Sequence, residues 1–295
     1  MKQKISKILS YVKSMRPETW FIGGIPLFCM SIIASGFCFS FSIAIRTISL
    51  FFISIVFVLG ATNMFNEVFD IEADKLNKPW RPLVSGKTSR KLSLYLSLLL
   101  FGLALVWSYY LNVALFFLTI IGVSLGIAYS LPKIRFKDNF FSSMLTLGIG
   151  YGFLIPICPW FLFSENDVLT GLLITLISFT WFFGTTNFKD FTDVVGDKIQ
   201  GTRTLPITSG IRKTIKLMIL LMAVIPSMIL ALYIYWNLFP SLCSLAFISF
   251  IATFLLLRKI NSNYSPELAY AGYKITYLLY PSIFFFLTVG FWLGG

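Results

Sequence analysis

Charged residues divide the chain into seven long uncharged stretches: 19–45, 47–66, 92–132, 139–164, 168–188, 217–257 and 275–295. A helix crossing a bilayer takes about 20 predominantly apolar residues. Five of the stretches therefore hold one crossing each, and the two 41-residue stretches hold two. Those two divide at "YYLN" (109–112) and "WNLFP" (236–240), where interfacial aromatics, Asn and Pro supply a turn. The pattern predicts an all-α integral membrane protein of nine transmembrane helices, a single membrane domain over residues 1–295. Residues 1–16 follow a different rule: Lys alternates with Ile5, Ile8, Leu9 and Val12 at helical spacing, which predicts an amphipathic helix lying on the membrane surface.

Composition agrees, with 57% apolar residues, 12% charged and a mean hydropathy of +0.83. Of 24 Lys and Arg, 23 fall in the N-terminal arm and the loops after every second crossing; Arg46 alone is assigned to an opposite loop. The positive-inside rule then places the N-terminus and the charged loops in the cytoplasm, at the inner membrane if the source is bacterial. The net charge of +12 reads as topology and attraction to anionic membrane lipids, and no nucleic-acid partner is expected. Cys29, Cys38, Cys158 and Cys243 all fall in predicted helices without paired ligand spacing, so they read as packing residues. Histidine is absent, which removes the commonest general base and the commonest transition-metal ligand.

The 12 acidic residues are unevenly spread: four lie in 67–74 and three in 190–197, each group at the end of a long apolar stretch. In "NMFNEVFDIEAD", Asn63, Asn66, Asp70 and Asp74 are three, four and four apart and share one helix face. In "NFKDFTDVVGD", Asn187, Asp190, Asp193 and Asp197 repeat the arrangement on a wider arc. "DIEADKLNKPWRPL" and "DVVGDKIQGTRTLP" also share Asp-x-x-x-Asp-Lys with an Arg six or seven residues on, at an offset of 123 residues. Two four-helix halves of similar design plus a ninth helix are the expectation, each half presenting one acidic segment.

Carboxylates so spaced repel one another and need a positive partner. Three readings are open. The acids pair with Lys75, Lys78, Arg81, Lys189 and Lys198 as a solvated interface, or they form the cation site of an ion-coupled transporter, or they hold a hard cation. Oxygen-only ligands suit magnesium, which retains waters and is completed by substrate phosphates, so the third reading implies a diphosphate partner. Basic residues stand nearby in the same loops: Lys78 and Arg81, Lys133, Arg135 and Lys137, then Lys198 and Arg203. Arg offers phosphate oxygens a fixed fork and Lys a point charge.

These motifs resemble the UbiA-type intramembrane prenyltransferases. "NEVFDIEAD" is similar to the family's first aspartate motif, with Glu67 in place of its second residue, and "DFTDVVGDKIQGTRTLP" to its second. "MRPETW", "NKPWRPLVSG" and "YSLPKIR" also resemble family segments. The resemblance implies nine helices around a central cavity, with loops 67–91 and 189–216 forming a cytoplasmic cap. It implies two magnesium ions, one held by Asn66, Asp70 and Asp74 and the other by Asp193 and Asp197, with Asp190 beside them for acceptor activation or metal support. Asp70, Asp190 and Asp193 would carry catalytic roles, while Asn63, Lys78, Arg81, Lys133, Arg135, Lys198 and Arg203 would hold substrate. The implied reaction ionises a polyprenyl diphosphate and passes the prenyl group to an aromatic, chlorophyll-type or glycerol-lipid acceptor. An intramembrane terpene cyclase would use the same metal site, and the transporter is a further alternative. Trp181, Phe182 and Phe183 are expected in the wall of the prenyl tunnel.

Overall fold

The computed structural model describes residues 2–164, 167–199, 201–236 and 240–294. Among them every regular element is a helix, apart from one isolated bridge between Asn139 and Arg203. Helix α1 (Lys2–Ser14) buries Tyr11 and Ser14 and exposes Ile5, Ile8, Leu9 and Val12. The turn after it, with Arg16 in the left-handed region (φ 55°), feeds α2 (Trp20–Ala34). Next come α3 (Phe41–Phe69), α4 (Ile71–Asn77), α5 (Arg90–Leu111), α6 (Val113–Ser130) and α7 (Phe140–Phe163). The second half supplies α8 (Val168–Thr185), α9 (Asn187–Ile199), the short α10 (Leu205–Ser209), α11 (Ile211–Met222), α12 (Ile225–Trp236), α13 (Pro240–Ser262) and α14 (Pro266–Gly294).

Side-chain capping sets several of these boundaries. The Asn112 carboxamide accepts from the amides of Ala114 (2.7 Å) and Leu115 (3.2 Å), so α5 and α6 divide within the expected turn. Asn139 caps α7 in the same way through Phe141 (3.0 Å), and Asp167 caps α8 through Thr170 (3.3 Å). Arg46, assigned by pattern to a loop, instead lies inside α3, which begins at the Ser40 cap. Eight helical segments among the described residues are long and apolar enough to cross a membrane.

The helices close into a ring. Helix α2 packs on both α7 and the last helix α14, while α14 also holds α13 and α9. The largest apolar core accordingly mixes the two ends of the chain, joining Met30 of α2 to Trp181, Met218, Leu257 and Tyr280. A second core, with Leu50, Leu115 and Leu162, fills the ends of α3, α6 and α7 remote from the acidic segments. Two π-helical turns, Phe52–Leu59 in α3 and Gly148–Leu154 in α7, interrupt these two spans. Wide turns of this kind recur at functional sites.

Candidate active site

The expected single face of residues 63–74 assumes an unbroken helix, and the structure breaks it at Asp70 (φ −107°, ψ 14°). The break does not scatter the acids, because the backbone ladder continues: Asp70 N donates to Asn66 O (3.0 Å), Asp74 N to Asp70 O (2.8 Å) and Lys78 N to Asp74 O (2.8 Å). Helix α4 packs on α9, so the two acidic segments meet although they lie more than 100 residues apart in sequence.

They meet at the mouth of a cavity of about 1140 Å³. Asn63, Asn66, Asp70, Asp74, Lys78, Arg81, Arg135, Asp190 and Asp197 are all among its lining. Lys133 and Lys198 are exposed and do not line it. Arg203 is exposed too, and it acts through its backbone, whose N–H donates to Asp138 O (2.8 Å) and whose carbonyl accepts from Phe140 N (3.1 Å). Asp193 lies on α9, with its side chain outside those described. Of the expected tunnel aromatics, Trp181 and Phe182 are buried in the core, and Phe182 reaches the cavity indirectly by stacking on Tyr151 (4.9 Å between centroids).

At the mouth, carboxylates and cations are paired. Arg81 bonds Asp74, Lys137 bonds Asp70, Arg135 approaches Asp70 (3.4 Å) and Lys189 bonds Asp190 (2.5 Å). Asp70, Asp74 and Asp190 are all buried, which deprives them of solvent screening. Burial pushes the Lys137 ammonium below its ordinary range, and the adjacent Asp70 carboxylate opposes that shift. Burial, with Arg16 nearby, pushes Arg81 down, and Asp74 opposes it.

Asn66 is the hub of this network. Its Nδ2 donates to Asp70 Oδ2 (2.6 Å) and Ser130 Oγ (3.1 Å), and its Oδ1 accepts from Arg16 (2.9 Å). The Asn66 amide is therefore spent on orienting Asp70 and Arg16. Asn63 donates to Met15 O (3.2 Å), fixing the turn that delivers Arg16. The Arg16 Nε is buried without a partner, as is Glu67 Oε2. Arg16, Lys137 and Lys189 all line the cavity; the sequence marks Lys137 and Lys189 as nearby cations, and the family resemblance implies a site role for none of the three.

The donor types suit a hard cation: the carboxylates of Asp70, Asp74, Asp190 and Asp197 line the cavity, with no His and no Cys at the mouth. Among the described residues no three acidic, His or Cys side chains form a group that could hold a metal ion.

A sequence model of the UbiA prenyltransferase family matches residues 24–292. The chain is 29% identical to the digeranylgeranylglyceryl phosphate synthase of Methanosphaera stadtmanae, over 78% of this chain and 79% of that protein. It is 31% identical to the protein of the same name from Methanothermobacter thermautotrophicus, over 68% and 67%. Among solved structures, a UbiA homolog from Archaeoglobus fulgidus bound to DMAPP and Mg2+ superimposes with a TM-score of 0.72 at 19% identity, over 94% of this chain and 98% of that one. At that identity the likeness is one of fold.

Proposed function

This chain belongs to the UbiA prenyltransferase family, and on that premise we propose that it transfers a polyprenyl group from an allylic diphosphate to a membrane-resident acceptor, releasing diphosphate. A glycerol-lipid hydroxyl is the acceptor the named relatives favour over an aromatic or chlorophyll-type one. Ion-coupled transport does not stand beside the family membership. The observation that carries the reading is one continuous cavity with acids and cations at its mouth and an apolar bore between membrane-length helices. At about 1140 Å³ it exceeds the roughly 300–1,000 Å³ of pockets for one small molecule. That supports room for a long polyprenyl donor, which a transferase and a cyclase share.

In this reading nine helices cross the membrane, α13 included, with the mouth and the N-terminus on the cytoplasmic side. Residues 67–91 and 189–216 cap the mouth. Asp70 and Asp74 would hold one magnesium, with Asn66 orienting Asp70, and Asp193 and Asp197 would hold a second. Magnesium, when bound, neutralises charge developing on the leaving diphosphate. Arg81, Lys137 and Arg135, relieved of their carboxylates, turn their N–H groups to the diphosphate oxygens beside Lys78 and Arg16. The apolar bore, with the Tyr151 ring in its wall, keeps water from capturing the allylic cation. Asp190 takes the proton from the acceptor hydroxyl.

Diphosphate release by purified protein with prenyl diphosphates, with and without magnesium and a glycerol-lipid acceptor, tests this. Release that needs magnesium, acceptor and both Asp70 and Asp190 is expected. Release without acceptor would move the assignment to the cyclase, and none under any condition would overturn both.

A further inference from the structure

Depth in the cavity can be counted along the helices that line it. Ser54 lies 16 residues before Asp70 on α3, which at about 1.5 Å per residue, less through the π turn, puts it roughly 20–24 Å below that carboxylate. Leu118 lies 12 residues before Ser130 on α6, roughly 18 Å down, and Cys158 lies 18 residues after Phe140 on α7, roughly 27 Å. Each is the deepest lining residue of its helix. Ser54 of α3 and Cys158 of α7 both line the cavity at this depth. Just beyond them Leu50, Leu115 and Leu162 are buried in one apolar cluster, so the bore ends there.

Halfway down, α7 presents Gly150. Its neighbours Gly148 and Gly152 face α8, where an added Cβ would meet Phe179 at 3.0 Å and 2.6 Å. A Cβ on Gly150 would meet nothing within 4 Å, yet Gly150 lines the cavity, so its missing side chain opens directly onto the bore. The π turn at Gly148–Leu154 is the segment that carries it.

An extended isoprenoid advances about 5 Å per four-carbon repeat, given C–C bonds of about 1.5 Å. Resting on the prenyltransferase reading above, we propose that Gly150 keeps the bore open and that Ser54, Leu118 and Cys158 form a floor limiting the donor to about four isoprene units. These are specificity-determining positions: they touch the tail and leave the diphosphate mouth alone.

The test is a donor series from C10 to C25, read as diphosphate release and, in parallel, as thermal stabilisation by unreactive prenyl thiolodiphosphates. The parent is expected to favour C20 and to fall off at C25. Gly150→Phe fills the open side of the bore and is expected to keep C10 activity within about twofold while losing C20 by about tenfold or more. Ser54→Phe raises the floor and moves the optimum to C15. An unchanged C10-to-C20 ratio in both variants would overturn the assignment, as would an equal loss at every length. If no donor turns over but thiolodiphosphate stabilisation still follows this length order, the floor stands and the transfer reading fails.

Discussion

Asn66 shows how closely the mouth is balanced. One amide donates to Asp70 and Ser130 while accepting from Arg16. Asn66→Asp is nearly the same size but replaces the donor facing Asp70 with a second carboxylate. Losing a hydrogen bond to a charged group costs about 1.5–3 kcal/mol, so diphosphate release should fall roughly 10- to 100-fold at limiting magnesium. Excess magnesium should recover part of it, a pattern a magnesium titration of the rate would show. A second residue-scale test is Arg81→Gln. Its pair with Asp74 is largely buried, with the side chains 12% and 5% exposed, and removing one partner of such a pair costs about 3–5 kcal/mol. The variant should melt clearly below the parent in metal-free detergent, with magnesium restoring part of the difference. At this scale sequence went only part of the way. Both acidic segments were legible from their spacing, but the choice among cations was not. Lys137 reaches Asp70 and Lys133 does not because α6 stops at Ser130 and the chain turns through a left-handed Arg135 (φ 40°). Arg16 was noticed only as part of a motif; that it reaches Asn66, 50 residues on, is a product of the fold.

Among the elements, the π turn of α7 sets two glycines in opposite environments. Gly152 sits against the α8 backbone, where a Cβ would come within 2.9 Å of Ser178 O, while Gly150 faces open space. Gly152→Ala should destabilise by about 2 kcal/mol through overpacking. Gly150→Ala should stabilise by about 0.5 kcal/mol, because alanine restricts the unfolded chain and meets no obstacle. Thermal melts of the two variants in one detergent check this contrast. Spans were legible because runs between charges match the bilayer, and the α5–α6 turn because Asn112 is a good cap. The π turns were not, since in a uniformly apolar stretch a period near 3.6 and a wider one leave the same pattern. The break at Asp70 was equally hidden, and there the cost to the site was small because the backbone ladder continued through it. The packing joins the two ends of the chain: α2 lies against α14, and one apolar core takes residues from both.

The whole molecule is a ring of helices with paired charges at the mouth of its cavity. Helices α4 and α9 come from opposite halves and bring Asp74 and Asp190 to one cavity, each neutralised by its own cation. An ion alone must compete with those cations, whereas an ion with diphosphate gives them a new anion to face. Magnesium by itself should therefore stabilise the protein little, and magnesium with inorganic pyrophosphate much more. A ligand at 100 times its Kd adds about 2.7 kcal/mol, which for a chain of this size raises Tm by about 4–5 °C. Asp74→Asn and Asp190→Asn should each remove most of that gain, and the double variant should lose little beyond either single, since both act on one bridged assembly. Thermal shifts of the four proteins with magnesium, pyrophosphate, both and neither provide the measurement. Independent, additive losses would mean two separate anion sites, and equal stabilisation by pyrophosphate without magnesium would assign the mouth to its cations alone.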